Sequence, residues 1–306
     1  MRKEDITIMS GSQTAVIPNS WQGVTPDVFQ KFVSNLAEHY AGNITVADIR
    51  RRYVLDVMGW RLSRIHDADA LATVISIADR VTFLFTVPDS SAAGQSSLTP
   101  NLNFFAQFVP TIKIGTTEYH AYTVSTAYNN LTTSLTALQF IEAQQILQQP
   151  QSRIATVPGS FAAGQSSLPF LAAILYCPPP YNSTTAQLLA DKMQQLSPVT
   201  LMAIQMNFIA FTTALYSQTE FALLAKFQPK KQSPIATDMA DALYDLCADG
   251  LGTHEEVEQM NLLTYLRILR KKTIEAVRQM RSMEWDVIRI SQETTLPVSV
   301  IQQIID

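Results

Sequence analysis

Between Asp89 and Glu220 the chain carries only six charged side chains, Lys113, Glu118, Glu142, Arg153, Asp191 and Lys192. So long a stretch without charge cannot lie in water as an ordinary surface. Its apolar residues must be folded into a core or covered by a partner. The whole chain is built the same way: of 306 residues 47% are hydrophobic and only 16% charged, for a formal net charge of -4. That is enough apolar material for a sizeable core, with polarity supplied largely by Gln, Ser, Thr and Asn. A membrane span is the competing use of such a stretch. Its best candidate, LMAIQMNFIAFTTALY at 201–216, falls short of the ~20 apolar residues a span needs and is interrupted by Gln205, Asn207, Thr212 and Thr213. No membrane contact is expected, and weakly charged surface points instead to other proteins or to copies of the chain itself, a homo-oligomer.

Hydrophobic periodicity predicts a mainly α fold with a small β-hairpin insertion. In the N-terminal region, 1–80, Thr25 caps a helix with Pro26 at its first position and Phe29, Phe32, Val33 and Leu36 at helical spacing. A second helix follows over 46–58, with Thr45 and Asp48 as a capping box and Gly59 as its stop, and a third over 67–78. Arg50, Arg51 and Arg52 point in three directions around the second helix and make no single binding face. The period then changes over 81–125: VTFLFTVP reads as a strand, and NFFAQFVPTIKIGTTEYHAYTVS as a hairpin turning at Gly115, with Ile112 and Ile114 on one side and Lys113 on the other. The charge-poor region 126–226 returns to helices: one capped by Thr136, one ended by Pro178, Pro179 and Pro180, then 184–196 and 199–225. KFQPKKQSP marks a linker at 227–236. In the C-terminal region, 237–306, Thr253 and Glu256 form a capping box opening one long helix over 254–290.

The phrase TVPDSSAAGQSSL starts at Thr86 and recurs at Thr156 as TVPGSFAAGQSSL. Two copies are too few for a solenoid, and their small polar residues are loop chemistry. A functionless duplication, two equivalent partner contacts, or two loops packed on each other all account for it.

Site chemistry is sparse. Cys177 and Cys247 are too few for a disulfide framework and are not clustered as metal ligands. His39, His66, His120 and His254 show no paired ligand spacing, and the acids beside His66, Asp67 and Asp69, read as a solvated helix start. No phosphate-binding glycine loop, nucleophile elbow or dinucleotide fingerprint is present, so no cofactor, metal or catalytic residue is assigned and a non-enzymatic role is expected. The N-terminal MRKEDITIMSGSQTAVIP lacks a continuous apolar stretch of the secretory type, which favours the cytoplasm as the site of folding. On the 254–290 helix, Leu262, Leu266, Leu269, Ala276, Met280, Met283 and Val287 fall on one side. Arg267, Arg270, Lys271, Arg278 and Arg281 gather on an adjacent stripe. These two faces are the candidate partner surface, with Trp21, Trp60 and Trp285 as candidate anchors. A solvated helix face is the simpler reading of the stripe, and binding of nucleic acid is not expected in an acidic chain without aromatic platforms. The last segment, ISQETTLPVSVIQQIID, has helix-turn-helix rhythm, yet its second helix carries no Lys or Arg and reads as a packing helix.

Four stretches, IPNSWQGVTPDVF, NNLTTSLTALQFIEA after the hairpin, AAILYCPPP and CADGLGTHEEVEQMNLLTYLRIL, run in that order over most of the chain. Together they resemble a family of tail-assembly proteins in phages and prophages of Bacteroidetes-type bacteria. The repeated AAGQSSL loops are not part of that pattern. The resemblance implies a non-enzymatic tail-assembly role, chaperone-like binding of tail or tape-measure components, with self-association. It also implies work in the host cytoplasm during assembly. A structural tail or neck component of the virion is the alternative, and a nucleic-acid-associated protein using the basic stripe is a further one. Ten Met residues suit adaptable contacts of this kind.

Overall fold

The computed structural model describes residues 4–10, 13–61, 67–86, 99–148, 167–226, 241–248 and 250–306. The fold is mainly α, with small two-stranded β elements. It opens on a hairpin that periodicity did not reveal in the N-terminal region: β1 (Ile6–Ser10) pairs with β2 (Gln13–Ile17), bringing Ile6 opposite Ile17 with both side chains buried. Next come α1 (Pro26–Tyr40) and α2 (Val46–Met58), starting at the caps read from sequence, and α3 (Ala68–Arg80). The Thr45 hydroxyl accepts from the Asp48 N–H, the Asp48 carboxylate accepts from the Thr45 N–H, and Gly59 leaves the helix at φ +65. Asp67 caps α3. The duplicated phrase lies almost wholly outside the described residues, as do His66 and the 227–236 linker.

Of the strand expected over VTFLFTVP, the described residues form a two-residue ladder. β3 (Phe85–Thr86) pairs with β4 (Thr99–Pro100), while Val81, Phe83 and Leu84 plug the core as irregular chain. The second hairpin forms as read, β5 (Thr111–Ile114) against β6 (Thr117–His120), turning at Gly115 with φ +59. Ile112 is buried and Lys113 exposed, as the alternation requires. A shorter pair, β7 (Val124–Ser125) and β8 (Thr132–Thr133), leads into α4 (Ala137–Gln148), whose Gln139 N–H donates to the Thr136 hydroxyl.

α5 (Leu168–Leu175) and α6 (Ser183–Met193) precede α7 (Pro198–Gln218), the spine of the molecule. All of 201–208 is buried, so this half of α7 has no polar face, while Thr213, Ser217 and Gln218 are exposed in the other half. It is long and apolar enough to cross a membrane by length and composition, but 67% of its most apolar window is buried inside this fold. The polar residues that interrupt it are used internally: Asn207 accepts from the buried Phe108 N–H at 2.7 Å, and Thr212 accepts from Gln144 at 3.0 Å. The helix expected over 199–225 breaks at Thr219, whose hydroxyl accepts from the Phe221 N–H before α8 (Ala222–Lys226) begins.

One apolar core runs from Ile6 to Leu266, so the regions marked off in sequence share it. Much of the charge-poor stretch is accounted for here: Leu171 to Leu175, Phe140, Ile141, Phe208 and Phe211 are all buried in the chain's own interior. At one end of this core Trp21 meets Phe29, Phe32, Phe83, Phe104 and Phe108 at ring-centroid distances of 4.8 to 6.2 Å.

The C-terminal part holds α9 (Asp241–Ala248), α10 (His254–Glu258), α11 (Leu262–Ser282), α12 (Val287–Thr294) and α13 (Val298–Ile305). The single helix expected over 254–290 is thus three. The first break has a tertiary cause: Met260 accepts from the Ala137 N–H and Leu262 donates to the Leu135 carbonyl, pulling 260–262 out of helical hydrogen bonding. Asn261 then caps α11 through Leu263 N–H and donates to the Thr133 carbonyl at 2.7 Å. The second break is local, with Glu284 at φ +62 and Asp286 capping α12 through the Arg289 N–H.

Candidate functional site

The C-terminal half of α11, with α12 and α13, closes on a second and much smaller core of Val277, Ile290, Leu296 and Ile301. α13 is held by its buried Ile301, as a packing helix should be. Where α13 and α11 meet α8, a groove of about 520 Å³ remains open. Leu223 from α8, Ile274 from α11 and Val300 and Ile304 from α13 form its apolar walls, each of them half-buried. Arg270, Arg278 and Glu220 supply its charge.

The basic stripe does gather on one side of α11, and its members reach partners within the chain. Arg267 and Arg270 converge on Glu220, at 3.5 and 3.6 Å from its carboxylate, and Arg270 Nε also donates to the Glu220 carbonyl at 3.2 Å. Arg278 Nε donates to the Ile304 carbonyl, placing a cation at the C-terminal end of α13 where the helix dipole favours it. Arg281 donates to the Trp285 carbonyl at 3.2 Å, and Lys271 stands 3.8 Å from Glu275. These pairs are exposed and individually contribute about 0–1 kcal/mol. Their role is to fix geometry: they hold α8, α13 and the α11–α12 turn against one helix.

The apolar side of α11 is turned inward. Leu266 is buried in the main core, Leu269 packs against it and Met280 packs against the small core, so these three brace the helix and do not present a free face. Met283 is the exposed exception. Trp21 requires a correction as a partner anchor: it is buried in the aromatic cluster with its Nε1 donating to the Asn101 carbonyl at 2.7 Å, so no partner reaches it. Trp285 is half-buried beneath Arg289, whose guanidinium lies 3.9 Å above the ring, and Trp60 is half exposed after α2. The residues missed from sequence are Glu220, Leu223, Ile274, Val300 and Ile304. A signal existed for two of them: Ile274 lies four residues from both Arg270 and Arg278, and Glu220 is the first acid after the charge-poor stretch.

The described residues include several titratable side chains that reach partners within the chain. They hold no group of three His, Cys, Asp or Glu that suits a metal ion. His39 Nδ1 lies 2.8 Å from the Ile44 carbonyl, and His254 lies 2.9 Å from Glu258. The strongest internal polar cluster is structural in form: Glu142 of α4 accepts from the Tyr181 hydroxyl and, at 2.5 Å, from Ser183, while Gln259 donates to the Tyr181 carbonyl. Burial, with Glu142 beside it, pushes the Tyr181 hydroxyl well above its ordinary value, and burial pushes the Cys177 thiol up. Neither is thereby readied as a nucleophile. No family model, curated protein or solved structure matches the chain.

Proposed function

We propose that this chain is a non-enzymatic protein of phage tail assembly that works by holding another assembly protein, in the manner of a chaperone, at the groove between α8, α11 and α13. The observation that carries the reading is the groove itself: half-buried apolar walls from three helices, edged by arginines, on a protein whose other apolar residues are mostly consumed by its core. Partner docking uses surfaces of this make-up, with an apolar centre and Arg at the margin. The tail-assembly context comes from the resemblance of the four sequence stretches. Tyr128 favours a second reading, retention in the particle as a structural component, because it stands fully exposed at φ 55 on the loop between β7 and β8, among uncharged residues. A nucleic-acid role is less well served, since the chain carries a net charge of -4 and the walls of the groove are mostly apolar.

Mass spectrometry of purified particles beside a lysate of the same induced cells tests the reading. The chaperone role predicts the protein in the lysate and its absence from finished particles. Abundance in the particle selects the structural alternative, and absence from both overturns the tail-assembly proposal.

A further inference from the structure

We infer that the occupant of the α8–α11–α13 groove is an acidic amphipathic α-helix, carrying carboxylates about two turns apart on either side of an apolar residue. The inference rests on reading the groove as a protein-binding site, and adds the chemistry of what binds there.

Three observations lead to it. First, the charge: α11 bears six basic residues and one acid, Glu275, in a chain whose net charge is -4. The groove repeats that excess with Arg270 and Arg278 against Glu220. Glu220 shows what the site prefers, since its carboxylate already lies between two guanidiniums, but at 3.5 and 3.6 Å rather than in a close bidentate pair. Arg278 spends its Nε–H on the Ile304 carbonyl, one of the five donors a guanidinium carries, so the groove side retains donors for a carboxylate.

Second, the spacing. Arg270, Ile274 and Arg278 follow one another at four-residue steps along α11, so the two cations stand ~12 Å apart with an apolar side chain between them. An antiparallel helix laid along this line meets it turn for turn with an acid, an apolar residue and an acid.

Third, the walls are helices. No residue lining the groove lies on a strand, so the walls offer an extended peptide no ladder to join, and its own backbone would lose water without compensation. A helix satisfies its backbone internally and brings only side chains.

The test uses the full-length protein and fluorescence anisotropy with a labelled peptide of about 20 residues, long enough to be helical, with leucines on one face and glutamates flanking it. Binding is expected, with a loss of about tenfold or more for Arg270→Glu and for Ile274→Glu, and none for Lys113→Glu on the distant hairpin. Circular dichroism of each variant checks that it is folded. The same peptide with lysines in place of glutamates should bind at least about tenfold more weakly. Equal binding of the lysine peptide overturns the charge argument. No binding of the glutamate peptide up to about 100 μM by folded protein overturns the occupant. Tighter, steeply salt-dependent binding of duplex DNA that Arg270→Glu removes would assign the groove to nucleic acid instead. A concentration-dependent doubling of mass that Ile274→Glu abolishes would assign it to a second copy of the chain. Each of these results is independent of whether the protein is found in phage lysates, so this inference and the tail-assembly reading fail separately.

Discussion

Around α7, buried side chains arrive from nearly every element between β1 and α11, whereas the α12–α13 end closes on four, Val277, Ile290, Leu296 and Ile301. The first region is over-determined, since each of its aromatic and aliphatic groups touches several others and polar intrusions such as Asn207 are matched to a buried donor. The second is held by caps, by a few aliphatic contacts and by arginines that reach backbone carbonyls. Both regions expose some apolar residues, Met283 and Ile288 at this end and Leu71 and Leu188 on the body. Side chains locked into a close-packed core are not free to contact a partner. The end that is only partly satisfied is where binding energy remains available.

The comparison can be broken most easily at Trp21. Trp21→Ala removes the hub of the aromatic cluster and should cost about 3–5 kcal/mol in urea unfolding; a cost below about 1 kcal/mol would mean that the cluster is not a packed core. Ile301→Ala should cost about 2–3 kcal/mol, with its effect confined to one end. Hydrogen exchange should show lost protection over 287–305 and unchanged protection in α7, and uniform loss through the chain would erase the distinction between the two regions. Glu142→Ala leaves the Tyr181 and Ser183 hydroxyls without their acceptor and should cost about 1–3 kcal/mol, with Glu142→Gln milder because an amide oxygen still accepts. Equal stability of Glu142→Ala and the parent would remove this strut from the account.

The smallest effect concerns pH. Hydrogen bonds from the Thr45 side chain and backbone hold the Asp48 carboxyl below its ordinary 3.8, and those from the Thr253 backbone and side chain hold Glu256 below 4.5. Both groups bind their proton more weakly folded than unfolded, so their contribution is complete above those ordinary values and is lost as pH falls through the lower folded ones. Asp48→Asn should therefore flatten the stability profile below pH 3.8 and leave its slope at neutral pH unchanged. A variant that keeps the parent's acid slope would show that the cap is not the source.

Local chemistry was legible in the sequence and tertiary diversion was not. Thr25, Thr45, Asp67, Thr136 and Thr253 announce helix starts because a cap is a contact between residues two to four apart. The break at Asn261 is invisible locally, since it depends on Leu135 and Ala137, more than a hundred residues away, taking over the backbone bonds of 260–262. The N-terminal hairpin is hard to read from sequence because ITIMS and QTAVI are short and have little pattern of their own. Periodicity placed the basic stripe of the candidate site correctly on α11. It could not show that α8 and α13 would come to lie beside that stripe, so Leu223, Val300 and Ile304 went unread and Trp21, conspicuous in sequence, drew attention to the wrong end of the molecule.

Amine-reactive cross-linking in cells producing particles, read by mass spectrometry, addresses the central claim most directly, because lysines mark both regions. Lys271 is exposed on α11 beside the groove, while Lys31, Lys113 and Lys192 mark the body. The account predicts that links to another assembly protein originate at Lys271 and are rare from Lys31, Lys113 and Lys192. Links concentrated on those three body lysines, with Lys271 linked only within its own chain, would contradict it.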